Sequence, residues 1–187
     1  MRVEAETMTL YAVTDRAWAK KKTLMEQVEE ALEGGITFLQ LREKNLSQEE
    51  FIKEAKEMKE LAAKYKVPFV INDNIDVALA VDADGVHIGQ DDMSVEEARK
   101  LLGEDKIIGV SAHNVNEAMK AQKGGADYLG VGAVCATSTK KDANVVSKEE
   151  IKKIKEAVDI PIVAIGGIKK DNIHTLKGTG VDGVAVV

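Results

Sequence analysis

The sequence predicts a closed (β/α)8 TIM barrel formed as a single domain over residues 1–187, and three observations carry that reading. One pattern recurs along the chain: an amphipathic helix, a Gly- or Asp-rich turn, then a short apolar strand. It is seen in "ALEGGITFLQL", "AVDADGVHIG", "AQKGGADYLGVG" and "LKGTGVDGVAVV". Four more apolar runs, "LYAVTD", "VPFVIND", "KIIGVSA" and "IPIVAIGG", raise the count to eight strands. They are mostly separated by helical segments, roughly 23 residues apart on average when 187 residues are shared among eight. Strict alternation of strand and helix implies a parallel sheet with helices outside it. A doubly wound open sheet is the rival arrangement. No strand is followed by a complete G-x-G-x-x-G turn, which weakens the dinucleotide-binding version of that rival. The chain has no linker, low-complexity stretch or sign of a second domain.

Taken in order, the first strand is read in "LYAVTD" and the second in "GGITFLQLREKN", where two glycines release a helix before Ile36, Thr37, Phe38 and Leu39. Polar residues then enter at every second position, Gln40, Arg42 and Lys44, so one face of the strand end carries an amide and two cations. The helix "SQEEFIKEAKEMKELAAKYK" starts at Ser47 with Glu50 three residues on, a capping box. Phe51, Ile52, Ala55, Met58, Leu61 and Ala62 form its apolar stripe. "SVEEARKLLG" and "NVNEAMKAQKGG" repeat the scheme with caps at both ends. The glycines of the recurring turns fit helix C-caps, where a left-handed backbone carries no side-chain penalty. His174 is expected on a helix after the seventh strand.

Composition bounds the partners. The chain is 44% hydrophobic and 31% charged with two prolines, as in an ordinary soluble domain. A net charge of −6 argues against nucleic acid and anionic membranes, which need a basic surface. No apolar run is long enough to span a bilayer, and "MRVEAETMTL" lacks the apolar segment of a signal peptide. The single cysteine, Cys135, forms no internal disulfide, which fits a cytoplasmic setting. The oligomeric state stays open, a homodimer among the options.

In a barrel of this type the chemistry sits where strands exit, at their C-terminal ends. Arg42 and Lys44 together suit a phosphate or diphosphate, the one as a planar fork and the other as a point charge; the competing reading is a surface ion pair such as Arg42 with Glu43. "FVINDN" delivers Asn72, Asp73 and Asn74, and "VHIGQDDM" delivers Gln90, Asp91 and Asp92. Each group alone is an ordinary turn or cap. Two carboxylates converging beside Arg and Lys make a hard oxygen site for magnesium, completed by phosphate oxygens and water. His87 is as consistent with a satisfied interior histidine as with a ligand contact. For His113 and His174 a structural role is the stronger reading. Ser111 either donates to an anionic oxygen or caps the next helix. "VCATSTKKDA" puts Thr137, Ser138, Thr139 and Lys140 in one loop, suited to a phosphate or simply solvated. Gly166 and Gly167 let backbone N–H groups approach a ligand, in the loop region where such barrels often bind phosphate.

These motifs, in this order, resemble the thiamine-phosphate synthase family: "LYAVTD", "LQLREKNLS", "VPFVINDN", "ADGVHIGQDDM", "IIGVSAHN", "GADYLGVGAV", "TSTKKDA" and "IPIVAIGGI". The resemblance runs from Leu10 over nearly the whole chain. It implies a transferase that joins hydroxymethylpyrimidine diphosphate to a thiazole phosphate, or its carboxylated form, releasing pyrophosphate. Carried over residue by residue, Gln40, Leu41, Arg42, Glu43 and Lys44 would hold the pyrimidine diphosphate with Asn72, Ser111 and Lys140. Arg42, Lys44, Lys140 and Ser111 would assist its departure. Asp73 and Asp92 would hold Mg2+, Asp92 being preferred to Asp91 as the last acid before the apolar residue. Thr137, Ser138, Thr139, Gly167 and Val187 would meet the thiazole phosphate. Cys135 and Ala136 replace the family's usual aromatic–proline pair. The family pattern continues past Val187 with a serine and a final helix, so the resemblance implies a barrel without its last helix and with apolar surface bared on one side. Two other readings compete: a thiazole tautomerase-like barrel, disfavoured by the survival of Lys44, Asp73, Asp92 and Lys140, and a non-catalytic phosphate-binding barrel.

Overall fold

Short β-prone runs bounded by turn residues become strands of four to six residues: β1 Leu10–Val13, β2 Phe38–Leu41, β3 Phe69–Asn72, β4 Gly85–Ile88, β5 Ile107–Ala112, β6 Tyr128–Gly132, β7 Ile162–Ile165 and β8 Gly183–Val186. The computed structural model describes residues 3–19, 21–136 and 145–187. Each strand pairs in parallel with the next, and β8 returns to β1 through Leu10↔Val184 and Tyr11↔Ala185, closing the barrel. That closure removes the open-sheet alternative.

The helices are set by their caps. α1 (Leu24–Glu33), α2 (Gln48–Lys64) and α4 (Val95–Leu102) each begin with a reciprocal capping box, Thr23 with Glu26, Ser47 with Glu50 and Ser94 with Glu97. The Asn74, Asn114 and Ser147 side chains cap α3 (Ile75–Ala80), α5 (Val115–Gly124) and α6 (Lys148–Ala157). Two expectations are corrected. In "AVDADG" the left-handed position after α3 falls to Asp82, at φ +52°, and the glycine that follows, Gly85, starts β4 instead. A side chain on Gly85 would lie 1.9 Å from the Ile107 carbonyl oxygen, so close strand approach explains that residue. His174 lies on a single 3-10 turn, Ile173–Leu176, because the stretch from Asn172 to Gly178 is too short for more.

Strand alternation divides the core in two. Outward residues such as Leu39, Leu41, Ile71, Val86, Ile108, Leu129 and Ala164 meet the helices in one apolar layer. Inward residues Tyr11, Val13, Phe38, Val70, Ile107, Tyr128, Val163 and Ala185 fill the barrel, with Met8 and Val3 packed among them. Tyr11, Phe38 and Tyr128 form a plug of three rings with centroids 4.7, 5.5 and 5.8 Å apart, in tilted and edge-on contacts. On the outer face of β8, Val184 is buried and Val186 half-buried.

Candidate active site

Above the aromatic plug the inward positions turn polar. Gln40 follows Phe38 on β2, Asn72 follows Val70 on β3, and Ser111 follows Gly109 on β5. His87 sits on β4 opposite both Asn72 and Gly109. Gln40, Arg42, Asn72, His87 and Ser111 all line a cavity of about 360 Å³ at the C-terminal mouth. The period of two read along β2 therefore brings Gln40 and Arg42 to this cavity, while Lys44, the third of that set, is not among its lining residues.

Arg42 is aimed from its neighbour strand. The Thr14 hydroxyl accepts from the Arg42 backbone N–H at 2.9 Å, and Thr14 N–H donates to the Gln40 carbonyl at 3.0 Å. The Asp15 carboxylate stands 3.6 Å from the Arg42 guanidinium while also capping the 3-10 turn at Ala17. Sequence reasoning missed Thr14 and Asp15. They leave β1 at the same end as the other site residues, so the strand-exit rule itself pointed to them.

Two members of the expected set face the other way. The Leu41 side chain is fully buried against the helices, and Glu43 takes the Arg16 Nε–H at 3.0 Å beside Glu54 of α2. Alternation puts both on the outer face of β2, so only their backbone can serve the mouth. The surface pair imagined for Arg42 and Glu43 is replaced by Arg42–Asp15 and Arg16–Glu43. Burial pushes the Glu43 carboxyl up, with Arg16 opposing and the charge of Glu54 adding to the rise.

Lys44 reaches over to β3, where its ammonium donates to Asp73 at 2.5 Å. Asp73 adopts φ +59°, a left-handed conformation that Asp tolerates better than most residues, with its N–H bonded to the His87 carbonyl at 2.8 Å. The same turn sets its carboxylate against Asp92, whose own carboxylate accepts the Gly89 N–H at 2.7 Å. Burial disfavours charge on Asp73, yet Lys44 and the contact with Asp92 hold its carboxyl below the usual value. Burial and the nearby Asp73 charge push Asp92 up against the pull of the Gly89 N–H. This is the signature of two carboxylates sharing one place. Among the described residues no cluster of three or more His, Cys, Asp or Glu side chains could by itself hold a metal. Two hard carboxylates fit Mg2+, which rarely takes an all-protein cage. The contact with Asp73 also favours Asp92 over Asp91.

On the opposite rim, Gly166 and Gly167 leave β7 with φ +99° and +68°. A Cβ on Gly167 would fall 2.4 Å from the Ala136 carbonyl oxygen, so the two mouth segments touch only because that residue is glycine. The Asn172 amide holds the turn by donating to the Gly167 carbonyl at 2.8 Å. Thr137, Ser138, Thr139 and Lys140 lie outside the described residues. The chain leading to them is anchored by Cys135 N–H on the Gly166 carbonyl at 3.0 Å. Val187 and Trp18 line the same cavity, and Trp18 was missed because a lone aromatic outside any strand carries no periodic signal. His113 lines the mouth too but bonds Glu117 at 2.8 Å at the start of α5, as its structural reading expected. No helix among the described residues is long and apolar enough to cross a membrane.

Comparison with known proteins agrees with this geometry. A family model described as Thiamine monophosphate synthase matches residues 10–187. A thiamine-phosphate synthase of Clostridium tetani is 55% identical over 179 residues, covering 96% of this chain and 86% of the relative. One from Clostridium acetobutylicum is 54% identical over 178 residues, covering 95% and 84%. The solved thiamine phosphate pyrophosphorylase from Pyrococcus furiosus superposes with a TM-score of 0.89 at 46% identity, over 97% of this chain and 86% of that one. The family match over residues 10–187, with relatives more than half identical over nearly all of this chain, places the chain in the thiamine monophosphate synthase family.

Proposed function

We propose that this chain is a thiamine-phosphate synthase that joins hydroxymethylpyrimidine diphosphate to a thiazole phosphate and releases pyrophosphate. The observation that supports the reading is where four consecutive strands end: Arg42 and Ser111 line the mouth cavity, and Lys44, Asp73 and Asp92 meet one another at the ends of neighbouring strands, in a chain of this family. Arg42, Lys44 and Lys140 hold the diphosphate, with Gln40, Asn72 and Ser111 completing its hydrogen bonds. Asp73 and Asp92 hold Mg2+, which when bound neutralises charge on the leaving phosphates.

The bond between the pyrimidine methylene and the diphosphate oxygen breaks, and its electron pair leaves with pyrophosphate. Electrons of the pyrimidine ring support the cationic methylene, and the thiazole nitrogen closes on it to form the new C–N bond. No protein nucleophile is needed. The side chains supply preorganised positive charge where negative charge grows, usually the largest catalytic contribution, and hold two anionic partners in one orientation away from water. Gly167, Thr137, Ser138 and Thr139, with Val187 at the rim, hold the thiazole phosphate. The test is pyrophosphate release measured with each substrate and Mg2+ left out in turn. Release only when all three are present supports the reading, and binding of the thiazole phosphate without release in the full mixture overturns it.

A further inference from the structure

Beneath the mouth, Tyr11, Tyr128 and His87, which the proposed reaction does not use, link Gln40 to Ser111 through the barrel. The Gln40 amide nitrogen donates to the Tyr11 hydroxyl at 2.6 Å, and the Tyr11 and Tyr128 hydroxyls lie 2.7 Å apart. Tyr128 meets His87 Nδ1 at 3.0 Å, and His87 Nε2 meets the Ser111 hydroxyl at 2.9 Å. Both phenols are fully buried, and burial pushes both up, so each keeps its hydrogen as a donor. The chain has made room for these rings. A side chain on Gly109 would overlap Tyr128, at 2.0 Å from Cζ, and one on Gly130 would press on His87 Cε1 at 3.1 Å.

One sense of the hydrogens gives every buried donor along this line an acceptor. An amide nitrogen can only donate, so in that arrangement Tyr11 accepts from Gln40 and directs its single hydrogen at Tyr128. Tyr128 then passes its own hydrogen to His87 Nδ1. An imidazole whose Nδ1 accepts carries its hydrogen on Nε2, and that hydrogen faces Ser111. With its oxygen already accepting from His87, the Ser111 hydroxyl keeps its hydrogen for the cavity that it lines.

We propose that Tyr128 is a positioning residue: by fixing His87 as the Nε2–H tautomer, it makes Ser111 a hydrogen-bond donor to the anionic pyrimidine substrate. The identity of that substrate rests on the function proposed above; the tautomer does not.

The experiment uses the full chain in two readouts. Long-range 15N–1H NMR of the unliganded protein, with signals assigned through His113→Gln and His174→Gln, reads the His87 tautomer directly. The expected result is a hydrogen on Nε2 and a bare Nδ1, and a hydrogen on Nδ1 overturns the proposal. Tyr128→Phe keeps the ring and removes the hydroxyl. Its expected effect is loss of the single tautomer and a KM for the pyrimidine diphosphate raised about tenfold, the worth of one hydrogen bond to a charged group, with the KM for the thiazole phosphate unmoved. Adding Ser111→Ala to Tyr128→Phe should change little further. Equal rises in both KM values, or full additivity of the two substitutions, mark Tyr128 as merely structural and refute the proposal. Should Tyr128→Phe fail to fold, the tautomer of the parent protein still decides. Absence of pyrophosphate release from the parent would instead overturn the proposed function and leave the tautomer measurement standing.

Discussion

Replacing Lys44 by alanine separates the two things its ammonium can do. As a structural contact it holds Asp73 at 2.5 Å, with the two side chains 49% and 29% exposed. Ion pairs this open to water contribute about 0–1 kcal/mol. For a chain of this length that is a fall of at most about 2–4 °C in melting temperature. As part of the reaction, Lys44 faces the charge that grows on departing pyrophosphate. Losing one preorganised donor of that kind costs about 3–4 kcal/mol of transition-state stabilisation, on the order of 10²–10³ in turnover. The variant should therefore melt almost where the parent does and release pyrophosphate hundreds of times more slowly, both substrates and Mg2+ being saturating. Asp73, no longer held down by the ammonium, should take up a proton at higher pH than in the parent. Turnover reduced less than tenfold, or reduced only as far as lost folding explains, would refute the reasoning.

Other expectations follow from the same geometry. Gly167→Ala forces a side chain into a left-handed backbone 2.4 Å from the Ala136 carbonyl oxygen, so it should cost about 1–3 kcal/mol of stability and raise the KM for the thiazole phosphate more than that for its partner. Calorimetry and steady-state kinetics check the pair, and unchanged kinetics would contradict the contact. Glu43 keeps its proton to higher pH in the folded chain than in the unfolded one. Its stabilising contribution is thus complete below the ordinary glutamate value and is lost as pH rises through the raised value. Glu43→Gln should flatten the melting temperature across that window, and a curve parallel to the parent's would count against it. Trp18 is the only tryptophan of the chain and lines the mouth at 54% exposure, so titration with pyrophosphate and Mg2+ should shift its emission. A silent titration, with binding confirmed by calorimetry, would place the ligand elsewhere.

Much of this architecture was legible in the chain because two rules suffice for it. Alternation along β2 sorted Gln40, Arg42 and Lys44 from Leu39 and Leu41, and it would also have sorted Glu43 outward had it been applied over the family pattern. Cap residues such as Ser47, Ser94 and Asn114 marked helix starts that the structure reproduces. What stayed hidden depends on contacts between strands distant in sequence. The Tyr11–Tyr128 bond joins residues 117 apart, and nothing local to either strand announces it. Arg42 is oriented by Asp15, and Lys44 by Asp73 across the gap to β3. Asp82 takes the left-handed turn expected of glycine because a short polar side chain tolerates that conformation.

The account stands on the mouth of the barrel being built to receive a diphosphate. A crystal structure of the full chain with the pyrimidine diphosphate and Mg2+ tests that most directly. The two phosphates should lie between Arg42, Lys44 and the Asp73–Asp92 pair, with the Ser111 hydroxyl within hydrogen-bond distance of the substrate. Phosphates found away from those side chains, in a complex that still turns over, would contradict it.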